Sequence, residues 1–211
     1  MQRSDEWHEQ RRNKLTASNL GALLGLCSYT SRSTALRRAR GLDDFCGNTA
    51  TRYGTMMELP TLKLYERWKG VTTHADGFKI HPLYTWFGGS PDGLVGNDGI
   101  VEIKCPYNQH WAKLEGTLSF SYYMQCQMLL WSYGREWLDF VMNAGPLRGC
   151  SVRKVTRDAQ LLEQLLPILE KVAQDVRDKR GVPRAINSTK VKEWVAQSQL
   201  FHVTLLQKDI L

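Results

Sequence analysis

Alternating apolar and polar positions between residues 89 and 106 predict a β-hairpin. The segment Gly96-Asn97-Asp98-Gly99 between the two apolar runs has the composition of a hairpin turn. Because side chains alternate along a strand, Glu102 and Lys104 are expected on one face, with apolar neighbours on the other. Asp92 precedes the turn, in the strand that runs back past Glu102. The pattern therefore predicts two carboxylates and one amine in a single cluster.

Helical and strand-like spacing elsewhere predicts an α/β domain in which a central mixed β-sheet is flanked by helices. The predicted helices cover residues 4–12, 19–24, 33–40, 52–69, 119–133 and 158 to about 179. Further strands are predicted within 71–86 and at 137–142 and 150–155. Pro60 is expected to kink the fourth helix or to mark its first turn. The tail, 189–211, has a possible short helix around Glu193 and a strand-like end, and the sequence assigns it no chemistry.

Composition narrows the class of protein. With 211 residues and a formal charge of +7, the chain is most simply one basic domain, and this charge favours a polyanionic partner. Its five cysteines are scattered without a CxxC pair, so neither a disulfide framework nor a zinc ribbon is indicated. An apolar signal region and a run long enough to span a membrane are both missing from the sequence. We expect a soluble, intracellular protein that does not act at a membrane.

The predicted hairpin cluster has a structural and a functional interpretation. A Glu/Lys pair on an amphipathic strand is common and, taken alone, favours a structural role. Asp92, however, follows a Pro in a segment with glycines on both sides, which suits a backbone that approaches another group closely. Apolar residues precede Glu102-Ile103-Lys104 and Cys105-Pro106 follows it, so its charges are expected near the core. Charges held there need partners or a metal ion. Two carboxylates can hold Mg²⁺ while a cation orients water, which is the arrangement that phosphodiester hydrolysis requires.

Other candidate residues lie outside the hairpin. Thr16-Ala17-Ser18 forms a hydroxyl-rich helix start preceded by Arg11, which suits either an anion site or an ordinary N-cap. Glu58 becomes a candidate if its helix packs over the hairpin. Gln125 and Gln127 are two positions apart, so only one of them can face the charged cluster.

These motifs, taken together, resemble the PD-(D/E)XK nuclease superfamily, which has a restriction-endonuclease-like core. Their order is Glu58, Ser90-Pro91-Asp92-Gly93, Glu102-Ile103-Lys104 and Gln125-Cys126-Gln127. The resemblance is closer to the branch of phage λ exonuclease and the YqaJ viral recombinases. Further matches to that branch are Trp7-His8, Arg11, Leu15-Thr16-Ala17-Ser18 and Lys104-Cys105-Pro106. The similarity extends from about Trp7 to about Trp131, and the helix to about residue 179 fits the usual end of the domain.

The resemblance implies a role for each matching residue. Asp92, Glu102 and the main-chain carbonyl of Ile103 would bind Mg²⁺, for which Mn²⁺ is a possible substitute, and Glu58 would complete this site or bind a second ion. Lys104 would position and polarise the attacking water, supported by Gln125. A pocket for the 5′-phosphate of a DNA end would be formed by Arg11, Ser18, Ser90 and His110. His110 stands where relatives carry a basic residue, often Arg.

The implied activity is that of a Mg²⁺-dependent 5′→3′ exonuclease on double-stranded DNA ends, leaving 3′ single strands for recombination. Relatives assemble as homotrimers and work beside a single-strand annealing protein. The alternatives are an endonuclease or structure-specific nuclease on the same core, and an inactive DNA-binding module. Intact Asp92, Glu102 and Lys104 argue against the inactive module, and the scattered cysteines disfavour Fe–S relatives. We expect a nuclease domain over 1–184 and an extension of unknown role over 185–211, packed on the same domain.

Overall fold

The computed structural model describes residues 5–42, 47–108, 114–178 and 185–208. The helices in these residues are α1 (Asp5–Arg11), α2 (Ala17–Leu23), α3 (Arg32–Ala39), α4 (Thr49–Lys69), α5 (Phe120–Tyr133), α6 (Ala159–Arg177) and α7 (Ser188–His202). The strands are β1 (Leu15–Thr16), β2 (Thr73–His74), β3 (Lys79–Ile80), β4 (Phe87–Gly89), β5 (Gly93–Val95), β6 (Gly99–Lys104), β7 (Trp137–Asn143), β8 (Cys150–Thr156) and β9 (Val203–Lys208). Within the described ranges, none of the helices has the length and apolar character needed to cross a membrane.

A six-stranded sheet with the order β2-β5-β6-β7-β8-β9 forms the centre of the fold. Strands β6 and β7 are parallel, and the other neighbouring pairs are antiparallel. One face packs against α4, where Val101 and Ile103 join Tyr65 in a small apolar cluster. The other face packs against α5, where Ile100 belongs to the main core. The predicted fold, a central mixed sheet flanked by helices, is therefore confirmed.

The hairpin predicted from the alternating pattern is formed by β5 and β6. Gly93 pairs with Val101 and Val95 with Gly99. Gly96 adopts a φ of 52° in the connecting turn, a left-handed conformation that glycine accepts without strain. Since Asp92 immediately precedes Gly93, this register brings Asp92 beside the strand position of Glu102.

Helix α5 is almost completely enclosed between the large sheet and its neighbouring helices α2 and α7. It begins after Ser119, whose hydroxyl accepts a hydrogen bond from Tyr122 N at 3.3 Å. Helix α2 approaches it closely at Gly21, where an added Cβ would lie only 2.6 Å from Ser121 Cα. This close approach connects the N-terminal part of the chain to the helix that carries Gln125.

Helix α4 begins three residues earlier than predicted, and one of the two alternatives for Pro60 is excluded. It begins at Thr49, and its N-cap Asn48 accepts a hydrogen bond from Thr51 N at 3.0 Å. Pro60 lies well inside the helix, so it does not mark the first turn. Because proline has no N–H group, the carbonyl of Met56, four residues earlier, has no helical donor. Met56 and Pro60 are both exposed, so water can hydrogen-bond to this carbonyl.

The C-terminal segment is more regular than its sequence pattern indicated. The short helix expected around Glu193 is the fifteen-residue α7, and β9 continues from it and pairs with β8. Ser198 on α7 donates a hydrogen bond to Asp158 Oδ2 at 2.5 Å, at the N-cap of α6. Residues 188–208 therefore pack on the same sheet and helices as the rest of the chain, while the predicted boundary at residue 184 lies outside the described residues.

Candidate active site

Glu102 is the centre of the predicted charged cluster. It is only 2% exposed and lies on the face of β6 that points towards α5. Its Oε1 accepts hydrogen bonds from Lys104 Nζ at 2.5 Å and from Gln125 Nε2 at 2.5 Å. Gln127 turns away and donates to Thr156 O at 2.8 Å, so only one of the two glutamines reaches the cluster, as the helical spacing predicted.

Asp92 is held against the same strand by the main chain. Its Oδ2 accepts a hydrogen bond from Ile103 N at 2.7 Å, next to Glu102 along β6. Glu58, on α4, is close enough that its charge raises the pKa of Glu102, although it is the smallest of the causes. The structure thus brings together Asp92, Glu102 and Lys104, with Glu58 nearby.

Burial and the nearby charge of Asp92 oppose ionisation of the Glu102 carboxyl group. The net pKa of Glu102 is raised to about 8, chiefly by burial and then by the charge of Asp92, while Lys104 opposes the rise. Burial alone lowers the pKa of Lys104, but the charges of Glu102 and Asp92 outweigh it, so the net shift is upward. Two carboxylates therefore share one ammonium group in a buried setting, which favours an additional cation.

The donor atoms fit a divalent metal ion such as Mg²⁺. Glu102 Oε2 is buried and has no hydrogen-bond partner among the described residues, whereas buried polar atoms in proteins almost always have one. The predicted ligands Asp92, Glu102 and the Ile103 carbonyl all offer oxygen, which Mg²⁺ prefers. In the described ranges no three His, Cys, Asp or Glu side chains form a ready-made metal-binding group, so the contribution of Glu58 stays a prediction.

A second polar cluster forms around Arg11, at the end of α1. Its Nη2 donates to Ser18 Oγ at 2.8 Å and to Thr16 Oγ1 at 3.3 Å. The guanidinium carbon lies 4.0 Å from the centre of the Trp7 ring, a cation–π contact. Burial lowers the pKa of Arg11 to about 10, which still leaves it charged at neutral pH. The cluster presents a positive group and hydroxyls at the start of α2.

Ser90 joins this cluster through Trp7, whose Nε1 donates to Ser90 Oγ at 2.9 Å. Because Ser90 is two residues before Asp92, their Cα atoms are at most about 7 Å apart. Three of the four predicted phosphate-binding residues thus belong to one cluster, which Ser90 connects along the chain to Asp92. The fourth, His110, lies outside the described residues. Trp7 was not among the predicted pocket residues, and its match to the family motif was the only signal for it in the sequence.

The fold and the acidic hairpin define the class of protein, that of the λ-exonuclease-like nucleases. The profile of the YqaJ-like viral recombinase domain matches residues 6–136, and the chain belongs to this family. The family predicted from the sequence is thereby confirmed.

Solved structures of an alkaline exonuclease, LHK-Exo from Laribacter hongkongensis, are similar over nearly the whole chain. One has a TM-score of 0.68 and 26% identity, covering 92% of this chain and 99% of the other. The second, in complex with dAMP, has a TM-score of 0.70 and 25% identity over the same shares of the two chains.

Curated relatives match a smaller part. Protein D345L of African swine fever virus (isolate Tick/Malawi/Lil 20-1/1983) is 29% identical over 153 residues, which cover 58% of this chain and 43% of D345L. The Badajoz 1971 Vero-adapted strain's D345L is 33% identical over 97 residues, covering 44% of this chain and 28% of that protein. The match therefore spans less than half the length of these relatives.

Proposed function

We propose that this protein is a Mg²⁺-dependent exonuclease that degrades double-stranded DNA in the 5′→3′ direction from 5′-phosphorylated ends. The observation that carries the proposal is the position of the Arg11–Ser18 cluster, which Trp7 and Ser90 connect to Asp92. An anion site beside a carboxylate cluster suits an enzyme that holds one phosphate and cuts at the next.

The carboxylate cluster can perform phosphodiester hydrolysis. When bound by Asp92, Glu102 and the Ile103 carbonyl, Mg²⁺ would stabilise negative charge on the phosphate oxygens. Lys104, held by Glu102 at 2.5 Å, would orient the attacking water through its ammonium group. Gln125 donates to the same carboxylate oxygen and would restrict the positions that Glu102 and Lys104 can take.

The reaction consumes one water molecule for each bond. The water oxygen forms a new bond to phosphorus and loses a proton, the bond from phosphorus to the 3′ oxygen breaks, and that oxygen gains a proton. The products are a 5′-mononucleotide and a strand with a new 5′-phosphate, which can enter the same pocket for the next cycle. The solved relative that binds dAMP holds a molecule of the same class as this product.

The Arg11 cluster supports a preference for ends. A terminal phosphate carries more negative charge than an internal one, so a guanidinium with neighbouring hydroxyls gains more from a 5′-phosphate. The positive charge of the whole chain, +7, supports additional contacts with the DNA backbone that do not depend on sequence. A homotrimer and a single-strand annealing partner are proposed from the family resemblance alone, as is the use of Mn²⁺ in place of Mg²⁺.

Digestion of two DNAs tests the proposal. A linear duplex with 5′-phosphates and a closed circle are each incubated with Mg²⁺ or with EDTA. We expect loss of the linear duplex alone, dependent on Mg²⁺, with release of mononucleotides and survival of the 3′-ended strand. Cutting of the circle would instead indicate an endonuclease, and binding without cutting would indicate an inactive module.

A substitution of Lys104 connects the activity to the site. Lys104→Ala should abolish cleavage and leave DNA binding, measured by fluorescence anisotropy, largely intact. Lys63→Ala is a matched control, because Lys63 is an exposed lysine paired with Glu66 on α4. If Lys104→Ala cuts as fast as the parent, the catalytic assignment is wrong.

A further inference from the structure

A buried chain of hydrogen bonds joins α4 to the ends of β6 and β7. Asn143, the last residue of β7, accepts a hydrogen bond from Gly145 N at 2.9 Å and donates one from its Nδ2 to Thr61 Oγ1 at 2.8 Å. Thr61 Oγ1 also lies 3.3 Å from the sulfur of Cys105, the residue after Lys104. Thr61, Asn143 and Cys105 are 1%, 6% and 9% exposed, so these bonds lie away from water, where they are stronger.

The face of α4 that makes this contact also carries Glu58. Gly54, Glu58 and Thr61 have the i, i+4, i+7 spacing of residues on one side of a helix. An added Cβ at Gly54 would lie 3.6 Å from the carbonyl oxygen of Cys105, so α4 approaches Cys105 both at Gly54 and at Thr61. Burial is the main cause of the raised pKa of Cys105, and the charge of Glu58 contributes to it. Glu58 therefore lies between two points at which α4 is fitted to the end of β6.

The main chain of α4 lacks a hydrogen bond at this turn. Pro60 has no N–H group, so the turn that carries Glu58 is stabilised by one main-chain bond fewer than a regular helix. Side-chain contacts with the sheet consequently have a larger part in fixing its position. Thr61 directly follows the proline and makes such a contact. A second contact, from the Tyr65 hydroxyl to Asp139 Oδ2 at 2.8 Å, lies one turn further from Glu58.

We propose that Thr61 is a positioning residue for the metal site. Its bonds to Asn143 and Cys105 fix the turn of α4 from which Glu58 acts on the carboxylate cluster. The inference rests on the proposed function, in which Glu58 contributes to the binding of Mg²⁺. Groups that hold metal ligands in place alter the affinity for the ion although they do not touch it.

Binding of Mn²⁺ in the absence of DNA tests the proposal independently of cleavage. Free Mn²⁺ is measured by electron paramagnetic resonance during a titration, and the binding that is lost in Asp92→Ala identifies the carboxylate cluster. Thr61→Val keeps the shape of the side chain but removes the hydroxyl, so it should weaken this binding several-fold, towards the level of Glu58→Gln. Thr61→Ser retains the hydroxyl and should bind Mn²⁺ as the parent does.

A double-mutant cycle determines whether Thr61 acts through Glu58. In a Glu58→Gln background, Thr61→Val should cost little further affinity for Mn²⁺, because the group that Thr61 positions has already been altered. Additive losses would overturn the proposal. In digestion assays, Thr61→Val should need more Mg²⁺ for half the maximal rate and should approach the rate of the parent at saturating Mg²⁺. A rate that saturating Mg²⁺ does not restore would assign the effect to Lys104 and would also overturn the proposal.

A matched variant on the same helix separates positioning from stability. Tyr65→Phe removes a buried hydrogen bond between α4 and β7, as Thr61→Val does, but about two turns from Glu58. It should lower Tm and leave the affinity for Mn²⁺ near that of the parent. An equal loss of affinity in Tyr65→Phe and Thr61→Val would reduce Thr61 to general support of α4 and would contradict the proposal.

Asn143→Ala approaches the same contact from β7 and provides the test if Thr61→Val does not fold. It removes the donor to the Thr61 hydroxyl, so it should weaken Mn²⁺ binding in the same direction. Unaltered binding in a folded Asn143→Ala variant would contradict the proposal. If the variants change Mn²⁺ binding as expected in a protein that never cuts DNA, only the exonuclease function is contradicted.

Discussion

The indole nitrogen of Trp7 donates a hydrogen bond to the hydroxyl of Ser90 at 2.9 Å, across 83 positions of sequence. The same indole ring lies against the guanidinium of Arg11, 4.0 Å from its carbon. Trp7 therefore holds two of the predicted phosphate-binding residues. Because Ser90 leads directly into Asp92, this contact also connects α1 to the acidic hairpin.

Substitution of Trp7 by Phe should weaken the end pocket without dismantling it. Trp7→Phe keeps an aromatic ring against Arg11 but removes the donor to Ser90. A neutral hydrogen bond contributes about 0.5–1.5 kcal/mol, so the preference for 5′-phosphoryl over 5′-hydroxyl ends should fall about two- to ten-fold. The measurement is the ratio of kcat/KM on two duplexes that differ only at the 5′ end.

A double-mutant cycle with Ser90→Ala decides whether the contact itself matters. If Trp7 acts through the Ser90 hydroxyl, Trp7→Phe should have little further effect once Ser90→Ala is present. Additive effects of the two substitutions would show that Trp7 and Ser90 influence end preference independently.

Arg11 should account for most of the preference for phosphorylated ends. Arg11→Ala removes the only guanidinium that donates a hydrogen bond to Ser18 in the described part of the chain. Charge-assisted hydrogen bonds contribute about 1.5–3 kcal/mol, so the preference should fall about ten- to a hundred-fold. Arg12→Ala is the matched control, because Arg12 is exposed and pairs with Glu9 at 2.7 Å. An unchanged preference in Arg11→Ala would remove Arg11 from the pocket.

Local patterns were sufficient to predict the acidic hairpin and the cluster of charges on it. The turn at 96–99 determines the pairing of Gly93 with Val101, and strand alternation then brings Asp92, Glu102 and Lys104 together. Helical spacing likewise separated Gln125, which reaches Glu102, from Gln127, which does not. These relationships depend on residues close in sequence, for which period and turn chemistry suffice.

Contacts between distant segments could not be predicted in this way. Neither Trp7 nor Ser90 has a neighbour in sequence that indicates the other, and the sequence of β9 does not indicate that it pairs with β8. The pair of the half-buried Lys69 with the buried Asp139 is similar, since an isolated Lys at a helix end suggests an exposed residue. Such pairings follow from the packing of whole elements, which a single sequence does not specify.

Glu58 should influence the affinity for metal and have little effect on folding. Its charge acts on Glu102 from α4, so Glu58→Gln should raise the Mg²⁺ concentration that gives half the maximal rate several-fold. The measurement is the initial rate of duplex digestion across a Mg²⁺ titration. Glu66→Gln, on the same helix, should leave the Mg²⁺ requirement unchanged. An unaltered requirement in Glu58→Gln would make Glu58 structural.

Glu66 should contribute to stability in a manner that depends on pH. Hydrogen bonds from Lys63 and Thr73 lower its pKa to about 2. A carboxyl whose pKa is lowered by folding stabilises the protein above its unfolded pKa, near 4.5, and the contribution is lost as the pH falls towards 2.

Glu66→Gln should therefore lower the free energy of unfolding by about 1 kcal/mol at pH 7, and this difference should shrink between pH 4.5 and lower values. Urea unfolding at pH 7, 5 and 4 measures it. Glu163→Gln, on the exposed side of α6, should show no such trend. A difference that stays constant with pH would assign the loss to side-chain packing.

Gly21 should be required for the position of α2, whose first turn carries Ser18 of the predicted phosphate pocket. In Gly21→Ala the new Cβ would lie 2.6 Å from Ser121 Cα and 2.2 Å from Ser121 Oγ. Because a Cα atom belongs to the backbone of α5, the clash cannot be relieved by turning one side chain. Overpacking of this kind costs about 2 kcal/mol, which corresponds to a fall in Tm of about 4–8 °C.

Gly77→Ala provides the comparison, since an added Cβ at Gly77 meets nothing within 4 Å and its Tm should stay near that of the parent. If α2 moves away from α5 in Gly21→Ala, Ser18 moves with it, since it lies in the first turn of this helix. The preference for 5′-phosphorylated over 5′-hydroxyl ends should then fall at temperatures well below Tm. A loss of stability with this end preference intact would mean that the spacing of α2 and α5 supports the fold alone.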